Sequence, residues 1–372
     1  MIKKIRLQGL LSFEDMELEL RNLNVLIGPN GSGKSNLIEA LSLLQALPTD
    51  IGEPIRRGGG IDEWICKSTR VERAGGSVTV ELPLIIERES QHVQYDLSIA
   101  RSKGVYEVQH ESITSSPGLK VPDGSRRTRV FASSAAGQES ILGPLTPPFD
   151  RPVFEYQAAL RVAFNSIGLY RGWTFGNNAP AREAQPADQP VDRLAGDASN
   201  LALVVANMPN VQDVEQEFRR FFDRFRRFTV QVFANKVLLS MHEEGLEQPI
   251  PATRWSDGMI RYLCLLAILC HPNPPGLICI DEPDLGFHPD VLPNLARLIK
   301  EASEKTQIII TTHSAELVDH FSDDPGSVVV CERDFDGATQ MKRQDPKRLK
   351  KWLEDYSLGE LWRSGEIGGN PL

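Results

Sequence analysis

Four short segments carry residue types that can handle the phosphates of a nucleotide. The first, Gly28-Pro29-Asn30-Gly31-Ser32-Gly33-Lys34-Ser35, fits the spacing G-x-x-x-x-G-K-[ST]. Glycines let successive backbone N–H groups close around phosphate oxygens, and a helix starting behind them adds partial positive charge. Lys34 is expected to reach the β- and γ-phosphates, and the Ser35 hydroxyl to ligate Mg2+. The nucleotide-binding set is Gly28, Asn30, Gly31, Ser32, Gly33, Lys34, Ser35 and the following Asn36.

The second segment, Leu277-Ile278-Cys279-Ile280-Asp281-Glu282-Pro283, is a buried-strand pattern ending in two carboxylates. Ligands bind beyond the carboxyl ends of strands in open α/β sheets. Asp281 is therefore a metal-shell residue, and Glu282 orients or deprotonates the attacking water. A strand-end turn explains two acids taken alone; the loop at Gly28–Ser35 gives them a catalytic reading. The third segment, Gln307-Ile308-Ile309-Ile310-Thr311-Thr312-His313-Ser314, is another such strand, with His313 expected to sense the γ-phosphate. In the fourth, Ser256-Asp257-Gly258 precede an apolar helix and offer a second anion site, although a plain N-cap accounts for them equally.

The elements that must position these segments follow from periodicity. Ile5-Arg6-Leu7 and Met16–Leu20 alternate as half-buried strands, and Asn24–Ile27 is a short apolar strand ending on Gly28. Leu37, Ile38, Leu41, Leu44 and Leu47 recur at helical spacing, and Pro48 stops the pattern. Residues 75 to 110 read as strands, whereas Ser112 to Pro152 and Gly176 to Asp192, rich in Gly, Pro or Ser, read as loops. Val211, Val214, Phe218, Phe221, Phe222 and Phe225 form one apolar helical face opposite Arg219, Arg220, Arg226 and Arg227. Pro289–Lys305 reads as a helix giving a right-handed crossover between the second and third segments. Leu349, Trp352, Leu353 and Tyr356 form an apolar face on a terminal helix, expected to pack in the core, with Trp352 and Trp362 keeping a partner surface open.

Composition narrows the class. Of 372 residues 41% are hydrophobic, and 41 basic against 50 acidic residues leave a charge of 41 − 50 = −9. This excludes a disordered acidic chain and argues against wholesale coating of nucleic acid. No apolar run approaches the roughly 18–20 residues of a membrane helix, and the N-terminus lacks a signal-peptide core. The expectation is a soluble, cytoplasmic protein with no membrane partner. Five cysteines, without a zinc-type spacing, read as reduced thiols.

In this order the four segments resemble the motifs of the ABC-type ATPase superfamily, in its RecF/SMC-like branch of AAA-type ATPases. Gly28–Ser35 is similar to Walker A, Ile278–Glu282 to Walker B, Ser256-Asp257-Gly258 to the ABC signature and His313 to the switch histidine. Asp284-Leu285-Gly286-Phe287-His288-Pro289 is similar to the segment after Walker B in OLD-type ATPases. Tyr170-Arg171-Gly172-Trp173 and Leu358-Gly359-Glu360-Leu361-Trp362 look like a bacterial group of stand-alone predicted ATPases. Where related heads often carry Phe-Arg-Ser, this chain has Leu10-Leu11-Ser12, and no Q-loop glutamine is assigned among Gln91, Gln94 and Gln109.

The resemblance implies a P-loop ABC-ATPase head of the α/β class: a mixed, partly parallel sheet with flanking helices, an antiparallel N-terminal subsheet and an inserted middle lobe. Its expected parts are 1–110, the lobe 111–235, the second half of the head 236–335 and a helical tail 336–372. It implies ATP and Mg2+ as cofactors and a homodimer closing around two ATP molecules. Lys34, Glu282 and His313 are the catalytic residues, Ser35 and Asp281 hold the metal, and Ser256 and Gly258 complete the site in trans. OLD-type nucleases continue into a Toprim domain, for which the 59 residues after His313 are too short; Asp334 and Asp336 read as a turn ending at Gly337. The expected role is control of a separate effector, a nuclease or toxin, in bacterial phage defence. The alternative is a RecF-like DNA-repair ATPase using Arg126, Arg127, Arg129 or the arginines near Arg219, and a transporter subunit is a distant third.

Overall fold

Alternation of buried and solvent-facing residues makes Lys4–Leu10 (β1) and Phe13–Glu19 (β2) an antiparallel pair, whereas Leu23–Ile27 (β3) is buried along its whole length. In the computed structural model, residues 1–67, 74–86, 88–120, 126–133, 137–143 and 151–369 are described. Two units form: Met1–Ile167 with Ile309–Leu372, and Gly168–Ile308. In the first, β1 and β2 join Gly75–Ile86 (β4), Glu89–Ser102 (β5), Val105–Lys120 (β6) and Arg126–Ser133 (β7) in a six-stranded sheet of order β2-β1-β4-β5-β6-β7.

This sheet corrects the reading of Ser112 to Pro152 as loop. β6 runs through residue 111, the expected lobe boundary, and pairs with β5 from Ser102↔Val105 to His92↔Ser116. The reason is burial. Ile113 is fully enclosed, and the buried Glu111 carboxylate accepts hydrogen bonds from the Tyr95 hydroxyl, Ser140 Oγ at 2.7 Å and the Ile141 N–H at 2.9 Å. Burial pushes that carboxyl above its ordinary range, and the three donors pull it back. The side chains of Arg126, Arg127 and Arg129 lie outside the described residues.

The second unit contains Ile167–Tyr170 (β8) from Gly168 onward, Gln185–Pro186 (β9), Phe225–Phe233 (β10), Lys236–Glu243 (β11), Ile250–Pro251 (β12) and Leu277–Asp281 (β13). β10, β11 and β12 form an antiparallel sheet, with β9 also on β11, and β8 neighbours β13. The expected aromatic helix is split: the helix is Val211–Phe221, and Phe225, Arg226 and Arg227 belong to β10. Helix and strand still bury one cluster. Phe218 meets Phe225 and Phe228 edge-on at 4.8 and 5.0 Å, contacts worth about 0.5–1.5 kcal/mol each beyond their buried area.

The chain returns to the first unit along Gln307–Thr311 (β14), followed by Val328–Arg333 (β15) and Thr339–Arg343 (β16). Within that unit the order is β16-β15-β3-β14, with β15 parallel to β3 and antiparallel to β16. Asp334 Oδ1 accepts the N–H groups of Asp336 and Ala338, so the Asp-x-Asp pattern is a turn, as expected. The tail departs from its expected helix. Leu349 is buried, but Trp352 and Tyr356 are 45% and 51% exposed on and beyond a short 3-10 turn, while Trp362 is buried. Among the described residues no helix is long and apolar enough to cross a membrane.

Candidate nucleotide site

The loop after β3 is shaped by glycines at three positions. Gly28, Gly31 and Gly33 have φ of 148°, 74° and 99°, where side chains are disfavoured. A Cβ at Gly28 would lie 2.2 Å from the Cys331 carbonyl oxygen, and one at Gly33 would lie 2.1 Å from Thr339 Oγ1. Behind the loop runs the helix Lys34–Ala46, whose N-cap is Gly33, with no side-chain cap and no acidic residue in its first turn. The glycine N-cap offers these N–H groups no side-chain acceptor of its own, which suits an anion-binding helix start. Ser32 Oγ is buried without a hydrogen-bond partner among the described residues, a donor that a phosphate oxygen would satisfy. Lys34 is buried and its Nζ donates to the carbonyls of Gly28 and Pro29 at 2.8 and 3.0 Å, holding the charge inside the loop. Burial pushes the neighbouring Cys331 thiol up to about 12, with the Lys34 charge opposing it. These residues fit a nucleotide's phosphates.

Support for the loop comes from residues that spacing did not single out. Thr339 Oγ1, 327 positions from Ser12, donates to Ser32 O at 2.8 Å and accepts from the Ser12 hydroxyl at 2.7 Å. Asn36 Nδ2 donates to the same Ser12 hydroxyl at 2.7 Å. Ser12, kept where related heads often carry Phe-Arg-Ser, thus joins the β1–β2 turn to the loop. Gly369 also packs here: a Cβ on it would lie 3.4 Å from Gly28 Cα, and its N–H donates to Glu332 while its carbonyl accepts from Trp362 Nε1. Nothing in local sequence pattern pairs these positions.

His313 leaves β14 on the same side of the first unit as the loop. Thr312, one residue before it, donates its N–H to Leu26 O at 3.1 Å, two residues before Gly28. Ser314 then caps the Ala315–Asp319 helix by accepting the Leu317 N–H at 3.0 Å, which sets the exit of the chain from the strand.

In the second unit, β13 delivers Asp281 as its last residue, and Glu282 follows at φ 49°, a left-handed conformation sparsely adopted by Glu. Such strain concentrates at functional positions. Arg261 Nη1 donates to the Glu282 carbonyl at 3.4 Å, and its guanidinium lies 5.1 Å over the Phe175 ring. Burial lowers the Arg261 pKa, and the acidic groups of Asp284, Glu282 and Asp257 oppose that shift.

The Ser256–Gly258 turn opens the 13-residue helix Asp257–Leu269. Ser256 is its N-cap, accepting the Met259 N–H at 3.2 Å, so the plain-cap reading holds. Yet Ser256 and Asp257 are exposed, and the turn is seated on the aromatic cluster through the buried Trp255, which lies 6.2 and 5.9 Å from Phe218 and Phe228. The arginines nearby are largely engaged within the chain. Arg219 donates to the Phe225 and Arg226 carbonyls, Arg220 pairs with Glu217, Arg224 with Glu243 and Arg226 with Glu244.

Comparison with known proteins bears on family and fold. ABC transporter A family member 7 of Arabidopsis thaliana is 37% identical over 100 residues, 27% of this chain and 10% of that protein. Chromosome partition protein Smc of Desulfitobacterium hafniense (strain Y51) is 37% identical over 86 residues, 22% of this chain and 7% of that protein. The chain spans about a tenth or less of the length of these curated relatives. A Smc head bound to the C-terminal winged-helix domain of ScpA matches with TM-score 0.58 at 16% identity, covering 94% of this chain and 99% of that one. A Smc head with an extended coiled coil, bound to the C-terminal domain of ScpA and derived from Pyrococcus furiosus, matches with TM-score 0.58 at 15% identity, covering 95% and 98%. At such identity the likeness is one of fold, the mixed α/β P-loop head. The model of the AAA domain family described as putative AbiEii toxin, Type IV TA system, matches residues 23–319, and the chain, an ABC-type P-loop ATPase, belongs to that family.

Proposed function

We propose that the chain is an ATP-driven switch in which two copies close around two nucleotides and the closed state controls a separate effector. Lys34 and the loop N–H groups hold the phosphates, Ser35 and Asp281 hold Mg2+, Glu282 positions the attacking water and His313 donates to the γ-phosphate. Ser256 and Gly258 reach the nucleotide of the other copy. The observation that carries this reading is a turn whose Ser256 and Asp257 are exposed, seated on a buried aromatic platform through Trp255. Mg2+ fits because it is usually held by one or two carboxylates together with phosphate oxygens, and among the described residues no three His, Cys, Asp or Glu side chains cluster to hold a metal alone. The family's description, a putative AbiEii toxin of a Type IV TA system, supports a toxin-linked setting; from it we infer a separate nuclease or toxin effector in bacterial phage defence.

The test is Glu282→Gln with ATP and Mg2+. Turnover falls by about 10²–10⁴-fold, the range of a lost general base, and light scattering reports a dimer that persists. A variant that binds ATP and stays monomeric would remove dimer closure from the reading. A stoichiometric second polypeptide that co-purifies with this variant and survives nuclease treatment supports effector control. Nuclease-sensitive DNA alone would replace that role with the RecF-like one.

A further inference from the structure

The proline-rich stretch Gly176–Asp192 has the composition of a surface loop, yet it delivers a guanidinium into the interior of the second unit. Arg182 is 4% exposed. Its Nε donates to the Phe175 carbonyl at 2.8 Å, its Nη1 to the carbonyls of Ala252 and Trp255 at 3.3 and 2.5 Å, and its Nη2 to the Asp257 carboxylate. Three of those four acceptors frame Ser256. Guanidinium stays protonated in proteins, so this is a buried permanent charge, tolerated because a carboxylate and three carbonyls surround it.

The arrangement has an electrostatic consequence. Asp257 lies in the first turn of the signature helix, where its carboxylate would repel an approaching phosphate. Arg182 offsets that charge from the protein side and leaves the Ser256 face open. The contacts also continue inward. The Phe175 ring lies under the Arg261 guanidinium, and Arg261 donates to the backbone of Glu282, the residue held at positive φ.

We infer that Arg182 is a positioning residue for ATP hydrolysis: it holds the Ser256–Gly258 turn, neutralises Asp257 and, through Phe175 and Arg261, ties that turn to the Glu282 backbone of the same chain. The inference rests on the reading of Ser256–Gly258 as a nucleotide-contacting turn, so the experiment treats the two separately.

Arg182→Lys keeps the charge opposite Asp257 but cannot span the carbonyls of Phe175, Ala252 and Trp255 together. Affinity for a fluorescent ATP analogue with Mg2+, steady-state kcat and thermal melting are measured for this variant, Asp257→Asn, Arg261→Lys, Arg182→Lys/Arg261→Lys and Ser256→Arg. The expected result for Arg182→Lys is a kcat about 10–100-fold lower, as for a misplaced catalytic geometry, with melting lowered because buried carbonyls lose their donors and analogue affinity close to the parent. The double variant loses about as much kcat as either single one, because the two arginines act in one network. Asp257→Asn, which keeps the carbonyl contacts and removes the repelling charge, retains more kcat than Arg182→Lys. Parent kcat in Arg182→Lys, while Ser256→Arg is inactive, overturns the inference and leaves the signature reading standing. So does a parallel fall of affinity and melting, the mark of a purely structural strut, and additive losses overturn the link to Glu282. Parent kcat in Ser256→Arg removes the signature reading and the inference with it.

Discussion

The helices Lys34–Ala46 and Asp257–Leu269 have the same length, 13 residues, and each follows a polar turn, but their N-termini are finished in opposite ways. The first begins on a glycine at φ 99°, with no side-chain cap and no acid in its first turn. The second begins on Ser256, which accepts the Met259 N–H, and continues with Asp257. One end has neither a capping side chain nor an acid against its partial positive charge; the other has spent a donor on its cap and carries a carboxylate. On the proposed function, phosphate affinity is therefore concentrated at the loop, and the Ser256–Gly258 turn contributes through geometry.

That contrast can be broken most directly at Lys34. Lys34→Ala removes the one side-chain charge inside the loop, and ATP-analogue affinity should fall by about 100-fold or more, a loss on the scale of charge-assisted hydrogen bonds to phosphate. Near-parent affinity in a titration would mean that the loop is not where binding resides. A pair of alanines sharpens the argument on the stability side. At Gly33 the new Cβ meets Thr339 Oγ1 and Ser12 Oγ at 2.1 and 2.8 Å, whereas at Gly31 it meets nothing within 4 Å. Both sites have positive φ, so Gly31→Ala should cost about 1–2 kcal/mol in urea unfolding from backbone strain, and Gly33→Ala about 1–3 kcal/mol more from overpacking. Equal costs would show that the Ser12–Thr339 pair yields. The smallest effect is expected at Ser256→Ala: about 1 kcal/mol from the lost cap, lower turnover and little change in nucleotide affinity. A large affinity loss there would make the two helix starts equivalent.

How much was readable in advance follows the range of the interactions. The glycine loop, its strand and its helix carry signals within a few turns of chain, and they stand where Gly28–Ser35 and the leucine spacing put them. Glu111 is different. Its stretch has the composition of a loop, yet cross-strand pairing and three donors to one carboxylate make it the middle of β6. The Arg226–Arg227 pair fits a helical face by spacing, but Phe225 turns into β10 because Phe218 and Phe228 enclose it. Trp352 and Tyr356 fit a core face by periodicity, and the break of that helix leaves them exposed.

The sequence itself points to the chemistry: which groups are expected to hold phosphate, which carboxylates end a buried strand, and that the chain is an ATPase. Those motifs are short, and their geometry is local to the backbone that carries them. The tertiary structure alone decided what stands behind them. Thr339 reaches the loop from 327 positions beyond Ser12, and Arg182 reaches Asp257 from 75 positions before it. Such partners share no spacing rule, because they are chosen by whichever buried hydrogen-bonding group the packed chain leaves to be satisfied.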